Sequence, residues 1–509
     1  MIWEKEKGEL VHDMRSEKHN RKEHKNKEKK EKGMGGFHLF ARVWSVLYLL
    51  IVIGFLGVLI YTNLLRLKLL CIVAAAVLLI LLLTFPALFF KKFKKSRRII
   101  ALILSVAVSA ACVGGIFYMT GTLDFFSKIT NVKTSIEKYY AVVRKDSGYD
   151  SGDSIRGETV HTYMTNDIHY SEAKNKLQDD LAVEYKMEEN LSGLADGLLN
   201  SSYDIIFVSE AHYSTITEEY SDFETRTKII YTAEIEISSE DIAKEVNVTE
   251  ESFNIYISGL DTEGSIDTVS RSDVNMIVTV NPKTHQVLLT SLPRDSYIDL
   301  SEKKGAKDKL THTGLYGIGE TVAAAERLTG IDINYYVKVN YTTVKNLVDA
   351  IGGIDVHSDF TFTTHGMGVY YAFYEGENHL DGSMALAFAR ERKSFSDGDL
   401  QRNKNQQQVL EAVLKKATTN TTILTRYTTV LNAVENSIET NMSQKEIQEL
   451  IKMQLDGMPG WDIEKQSITG MPGSALCYST GDYYVSIVDL DQESVVSSVD
   501  RIIRVMDGQ

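Results

Sequence analysis

Cysteine is nearly absent, with three in 509 residues at Cys71, Cys112 and Cys477. The first two fall in strongly apolar runs, so no intrachain disulfide framework can form around Cys477, and no CxxC pair exists for a metal or redox site. A positive charge balance is also missing, since 55 Lys and Arg stand against 69 Asp and Glu for a formal charge of −14. A nucleic-acid-binding surface needs clustered cations to displace counterions from phosphate, so nucleic acid is excluded as a partner while a local anion site is not. The short signatures of common enzymes are lacking too. There is no GxSxG, HExxH or Walker A motif, and the SxxK match at Ser301 to Lys304 is followed by no KTG.

What is present divides in two. Residues 1–98 hold 20 Lys and Arg against 8 Asp and Glu, +12, which leaves 35 against 61, −26, for residues 99–509. The length exceeds one core and predicts two or three domains, and 43% hydrophobic residues are ample to fill them.

Residues 43–61, 69–90 and 99–119 carry no charged side chain, and each approaches the roughly 20 residues that cross a bilayer as helix. Three transmembrane helices are expected. A cleaved signal peptide does not fit a first run that follows a long polar tail and precedes two more runs. Lys and Arg flanking membrane helices are retained in the cytoplasm. The tail at 1–42, with Arg15 through Lys32, and the loop bearing Lys91, Lys92, Lys94, Lys95, Arg97 and Arg98 are therefore expected there. Three crossings then place the large C-terminal region outside the cell membrane. The tail itself reads as a disordered topology signal, with binding to anionic lipid as the alternative.

The exterior is read as two parts. Between 124 and 245 lies an accessory α/β domain with strands at Thr159 to Met164, Tyr203 to Ser209 and Lys228 to Ile237, and a helix at Ser171 to Leu181. Residues 145–157, rich in Gly, Ser and Asp, read as a loop, so folding is expected to begin close to Thr159. Asp150 and Asp153 read as solvated, since the run lacks the EF-hand ligand spacing. From 250 to 509 the pattern alternates strands (Phe253 to Leu260, Val274 to Val280, Val287 to Leu292, Tyr335 to Val339) with helical spacing at 315–328 and 344–351, where Gly352 and Gly353 supply a stop. This predicts a layered α/β/α domain with its core motifs at 253–415.

Charged residues recur where those strands end, which is where α/β folds place ligands. Asp261 follows the first strand, Arg271 and Asp273 precede the second, Arg294 and Asp295 follow the third, and Lys309 ends a Lys-rich loop. Further on come Arg390 and Arg392, placed on one side of an extended segment by their i, i+2 spacing, and Asp399, Arg402 and Gln406 on one helical stripe. Arginine forks bind phosphate oxygens and carboxylates hold a bridging divalent cation, so converging arginines and a carboxylate pair suit a pyrophosphate with Mg²⁺. Ordinary surface ion pairs are the alternative on spacing alone.

The segments GLDTEGSIDTVSRSDVNMIVTVNP, LLTSLPRDSYIDL, VKVNYTTVKNLVDAIGGIDV, LDGSMALAFARER and GDLQRNKNQQQVL, in that order, resemble the LytR/CpsA/Psr (LCP) family of Gram-positive cell-envelope transferases. Three membrane helices and an added extracellular domain resemble its capsule-associated CpsA branch. The resemblance implies transfer of a glycopolymer, capsular or teichoic-acid-like, from an undecaprenyl-pyrophosphate carrier to peptidoglycan outside the membrane. By motif it implies that Asp261 and Asp273 hold Mg²⁺. Arg294, Arg390, Arg392, Arg402 and Gln406, with Lys309 and Arg271, would bind pyrophosphate, and Asp399 is a candidate base or orienting group. Attack of a sugar hydroxyl on the anomeric carbon would expel the lipid pyrophosphate, with Arg and Mg²⁺ stabilising the charge that develops. The polyprenyl tail would need an apolar groove, for which helix 344–351 is a candidate and simple core the alternative. Two departures stand out: no arginine follows Asp261 until Arg271 where the family pattern is GxDxR, and the later RQ pair reads Asn405-Gln406. A lipid-pyrophosphate phosphatase and a membrane-anchored regulator of envelope polymer synthesis are the competing readings.

Overall fold

The computed structural model describes residues 37–130, 134–165, 167, 169–238, 241–260, 262, 266, 269–301, 305–365, 369–419, 427–456, 459–480 and 484–509. Most of the basic tail and Asp261 lie outside these residues. The chain forms two compact units, Met1–Leu123 and Asp124–Gln509.

In the first unit the three expected spans are helices α1 (Phe37–Thr62), α2 (Leu67–Phe89) and α3 (Lys95–Thr130). At 26, 23 and 36 residues each is long and apolar enough to cross a membrane. Polar side chains in apolar helices need partners, and Trp44 Nε1 donates to Ser105 Oγ at 2.8 Å while Ser105 Oγ donates to the Leu102 carbonyl.

Among the described residues the second unit carries four two-stranded sheets and two main sheets. The smaller has β1 (Thr134–Arg144), β2 (Thr159–Tyr163), β3 (Glu184–Glu188), β4 (Ile205–Ser209) and β5 (Thr227–Ser238) in the order β3-β2-β4-β1-β5. Helices α4 (Tyr170–Leu181), α5 (Leu191–Leu199) and α6 (Glu210–Glu219) intervene. The fold begins well before Thr159, contrary to the expectation from sequence. Strand β1 pairs antiparallel with both β4 and β5, and buries Tyr139, Ala141, Val142 and Val143. Its charged residues Glu137 and Lys138 sit together mid-strand, which breaks the apolar alternation a sequence reading relies on. Asp150 pairs with Lys228 and Asp153 with Arg156, as solvated side chains do.

The larger sheet contains β6 (Phe253–Leu260), β7 (Ser272–Asn281), β8 (Gln286–Leu292), β9 (Tyr335–Val339), β10 (Ile438–Thr440) and β11 (Asp462–Ser467), ordered β10-β9-β6-β7-β8-β11. Strands β6 and β9 are parallel, while β7 runs antiparallel to β6 and β8. The period-2 alternation fills both faces. Tyr256 and Ile277 pack against Ala324 and Ala325 of α7 (Ile318–Thr329) and Val495 of the C-terminal helix. Phe253, Met276, Val278 and Leu289 meet Leu410 and Leu414 on the other face. Each such side chain contributes about 1.5–3 kcal/mol of burial, which makes this α/β/α sandwich the stable platform for what lies at its edge.

Next to it a third apolar cluster joins α8 (Tyr341–Ala350), α9 (Gly382–Arg390) and α10 (Gly398–Thr419) through Val348, Ile351, Phe362, Phe373, Phe388 and Val409. Helix α8 ends where Gly352 and Gly353 both take φ of +80°, which glycine adopts without strain. The apolar residues of α8 suggested as a lipid groove thus belong to a packed cluster. Arg390 is the last residue of α9, Glu391 is extended and Arg392 opens the turn that follows, so the segment expected to be extended is helical up to Arg390. Asp381 caps α9 by accepting from Met384 N at 2.8 Å, and Ala385, Leu386 and Phe388 bury its inner face, which outweighs the short-range i, i+2 pattern.

Candidate functional site

The sheet register gathers the charged residues. Gly259 pairs with both Val274 and Val339, and Asn275 with Leu292, so β6, β8 and β9 end at the same edge at which β7 begins. Thr262, Asp273, Arg294, Asp295 and Tyr341 are therefore delivered to one edge by four different strands. Helices α9 and α10 add Arg390 and, from the first two turns of α10, Asp399 and Arg402.

Asp273 is the centre of the cluster. Its Oδ2 accepts from Arg294 Nη1 at 2.7 Å and its Oδ1 from Thr311 Oγ1 at 3.0 Å. Burial alone would raise its pKa, but Arg294, Arg271, Arg402 and the Thr311 bond together hold the carboxyl below its ordinary value. Asp295 accompanies it, with Lys309 Nζ at 3.3 Å from Oδ1 and Arg294 Nε at 3.7 Å from Oδ2. Arg402 is buried, and burial together with the nearby Arg294 pulls its guanidinium below its ordinary pKa. Its Nη2 lies 3.0 Å from Asp399 Oδ1, and Arg392 Nη1 lies 3.8 Å from the same oxygen. The Arg390 guanidinium stacks over the Tyr341 ring at 3.9 Å.

Among the described residues, two buried polar atoms at this edge have no hydrogen-bond partner, Thr262 Oγ1 and Arg402 Nε. Natively buried polar groups are nearly always satisfied, so a concentration of exceptions marks where a polar ligand completes the network.

The residues singled out from sequence thus divide. Asp273, Arg294, Lys309 and Arg402 converge, and Asp399 and Arg392 adjoin them. Gln406 is half-buried one turn along α10 from Arg402. Arg271 faces two ways: it acts electrostatically on Asp273, and its Nη2 donates to the Ser214 carbonyl of α6 at 3.1 Å. Sequence reasoning passed over Thr311, Tyr341 and Thr262. Thr311, two residues after Lys309, is set by a backbone approach. A Cβ on Gly314 would stand 2.4 Å from the Ser270 carbonyl oxygen, so only glycine lets this short helix seat against the start of β7.

A second buried polar cluster lies behind Lys309. Asp308 accepts from the backbone N–H of Lys309 at 2.8 Å and of Ser479 at 2.8 Å and from Ser479 Oγ at 3.1 Å, and lies 2.7 Å from His312 Nδ1. His312 acts there as a structural partner. His212 of α6 reaches the same segment, Nε2 lying 2.9 Å from the Ser479 carbonyl. A cavity of about 130 Å³ lies apart from the sheet edge, lined in part by Glu137, Tyr139, Asp167, His169, Glu210 and Tyr316.

The chain is similar to known proteins. A polyisoprenyl-teichoic acid–peptidoglycan teichoic acid transferase TagU from Bacillus mycoides (strain KBAB4) is 32% identical over 250 residues, 49% of this chain and 78% of the relative. The protein of the same name from Bacillus cereus (strain AH820) is 34% identical over 251 residues, with the same coverage. The crystal structure of Bacillus subtilis TagV matches 51% of this chain and 98% of its own with a TM-score of 0.43 and 30% identity. The LytR_cpsA_psr family model matches residues 210–498, which takes in α6, the larger sheet and the whole arginine-lined edge. With more than half of its length matched, the chain belongs to the LytR_cpsA_psr family.

Proposed function

We propose that this protein transfers a glycopolymer from a polyisoprenyl-diphosphate carrier to peptidoglycan at the outer face of the cell membrane. The convergence of Arg294, Arg402 and Lys309 around Asp273 and Asp295, with Arg402 Nε and Thr262 Oγ1 unpartnered among the described residues, carries the reading. The relatives' names, which specify a polyisoprenyl-linked teichoic acid and peptidoglycan, supply the substrate class. The three membrane-capable helices agree with a lipid-borne donor, and the Lys- and Arg-rich flanks with a cytoplasmic N-terminus.

An acceptor hydroxyl gives up its proton to water and bonds either to the polymer's anomeric carbon or to the phosphorus attached to it, and that atom's bond to the carrier breaks. Whether that bond is C–O or P–O, negative charge grows on the carrier phosphates. Arg294, Arg390, Arg392 and Arg402 are preorganised to receive it, at low cost because Asp273, Asp399 and Tyr341 already engage all four. Asp399, engaged by two guanidinium groups, serves as an orienting group.

A divalent cation fits this set. Asp273 is held ionised, Asp295 lies at the same edge beside Lys309, and both carboxylates offer the hard oxygen ligands that Mg²⁺ takes. Asp273 and Asp295 would hold the ion, with Asp261 as a third carboxylate from sequence. Bound there, Mg²⁺ neutralises phosphate charge.

The test uses the full-length protein in liposomes with a lipid-diphosphate-linked glycan, peptidoglycan and Mg²⁺. Covalent attachment of glycan to peptidoglycan is expected, abolished by EDTA and slowed about 10²-fold by Arg402→Ala. The released carrier separates the two chemistries: a diphosphate marks C–O cleavage and a monophosphate P–O cleavage. Phosphate release without a peptidoglycan product would establish a phosphatase, and binding without turnover a regulator.

A further inference from the structure

We infer that Glu137, Asp167 and His169 form a Zn²⁺ site in the cavity where the smaller main sheet meets Leu315 and Tyr316. It lies apart from the arginine-lined edge, and the inference stands independently of the function proposed for that edge.

Strand β1 sets Glu137 and Tyr139 on one face by their i, i+2 spacing, and Tyr139 belongs to the core of the smaller main sheet. A carboxylate beside a core residue is costly unless something neutralises it. Glu137 meets a second carboxylate instead. Asp167, in the segment leading to α4, shares the Tyr139 hydroxyl with it: that oxygen lies 2.7 Å from Glu137 Oε2, 2.9 Å from Asp167 Oδ2 and 3.1 Å from Asp167 Oδ1. A phenol has one hydrogen to donate, so two anions compete for a single proton. His169 completes the set, its Nδ1 lying 2.9 Å from Glu137 Oε2 while its backbone N–H donates to Asp167 Oδ1 at 2.9 Å.

One ligand atom from each of the three residues lies within 4.8 Å of the other two. An ion with ligand distances of about 2.0–2.2 Å spans such a set after small side-chain movements. The donor types select the ion. Mg²⁺ and Ca²⁺ take oxygen ligands, whereas Zn²⁺ accepts imidazole nitrogen and carboxylate oxygen together. Three protein ligands leave a fourth position, and the cavity of about 130 Å³ that all three line has room for the water that fills it. A separate feature of the same cavity calls for such a water. Glu210 also lines it, and while its Oε1 accepts from the Tyr140 hydroxyl at 2.6 Å, its Oε2 is buried without a hydrogen-bond partner among the described residues. The three ligands themselves are only partly buried, which leaves the ion a way in.

Bound there, the ion clamps β1 to the segment before α4. The adjacent Ile136 carbonyl accepts from Val269 N at 3.0 Å, so the clamp braces the strand at a contact with the larger domain.

The test uses the full-length protein in detergent micelles, stripped with EDTA and reloaded with Zn²⁺ or, as a spectroscopic probe, with Co²⁺. Wild type is expected to retain one equivalent of Zn²⁺ that depends on His169, and to melt at a higher temperature with it than without. His169→Ala and Asp167→Asn should each weaken Zn²⁺ binding at least about 100-fold, the upper end of what loss of an outer-shell partner costs. Both should melt like stripped wild type, with or without Zn²⁺. Asp167→Asn preserves the shape of the site and so separates lost ligation from lost folding. The Co²⁺ form should show no thiolate charge-transfer band. Wild type that retains no metal, retention unchanged in both variants, or a thiolate band, which would place the ion at Cys477, would each overturn the inference.

Discussion

Two buried polar clusters lie within a few residues of each other on either side of Lys309, and they are built in opposite ways. Around Asp308 every oxygen is engaged, by two backbone N–H groups, a hydroxyl and an imidazole nitrogen. At the sheet edge around Asp273, charge is just as concentrated but, among the described residues, Thr262 Oγ1 and Arg402 Nε lack hydrogen-bond partners. A closed network holds the chain together, whereas an open one is poised for something that arrives later. Composition alone does not separate them, since both draw on Asp, Lys and hydroxyl residues from the same short stretch.

The largest effect that sharpens this contrast is expected in the closed cluster. Asp308→Ala strands two buried backbone donors and a histidine, at a cost of about 3–5 kcal/mol in stability. Thermal unfolding of the full-length protein in micelles measures it, and an unchanged melting temperature would erase the distinction.

In the open cluster, Arg402→Ala should lower kcat/KM about 10²-fold while the melting temperature changes little, since the side chain already lacks one of its bonds. Loss of folding in place of loss of transfer would show that the arginine cluster is structural.

Acid titration probes both clusters at once. The carboxyls of Asp273 and Asp308 are depressed below their ordinary values: burial pushes each upward, but arginines outweigh it at Asp273, and His312 with the backbone donors does so at Asp308. A depressed carboxylate stabilises the fold in full above its unfolded pKa of about 4 and loses that contribution as pH falls through the folded value. His212, whose pKa burial lowers, adds a loss that begins below about 6.5. Stability should therefore decline gently below pH 6.5 and steeply below 4, and Asp308→Asn should flatten the steep limb. Parallel limbs in the two proteins would contradict the assignment.

The smallest expected effect is Thr311→Val, which removes one donor from Asp273 and should cost about 1 kcal/mol, or roughly fivefold in kcat/KM. A larger loss would mean that Thr311 meets the substrate itself.

Much of this was legible in the sequence because it rests on local signals. The membrane runs are continuous, β6 and β9 have the boundaries that their apolar content marks, and the Asp399, Arg402 spacing declares itself on a helix. What escaped depends on partners far away in the chain. Strand β1 hides its character behind a Glu-Lys pair, and its burial is conferred by β4 and β5. Arg390 closes a helix because Asp381 caps it and Phe388 finds a core. Thr311 and Tyr341 carry no charge, so nothing in their own chemistry draws attention to them before the fold sets Asp273 and Arg390 beside them.

Gly314 illustrates how such a site can be altered without touching it. Its φ is −57°, within the range of any residue, so its glycine answers to space and not to torsion. One methyl group there would act as a wedge between the Thr311 turn and the start of β7, lifting a hydroxyl off the central carboxylate while every charged residue remained in the sequence. A survey confined to conspicuous arginines and aspartates would score such a protein as intact. The narrowest tolerance in the site belongs to a residue with no side chain.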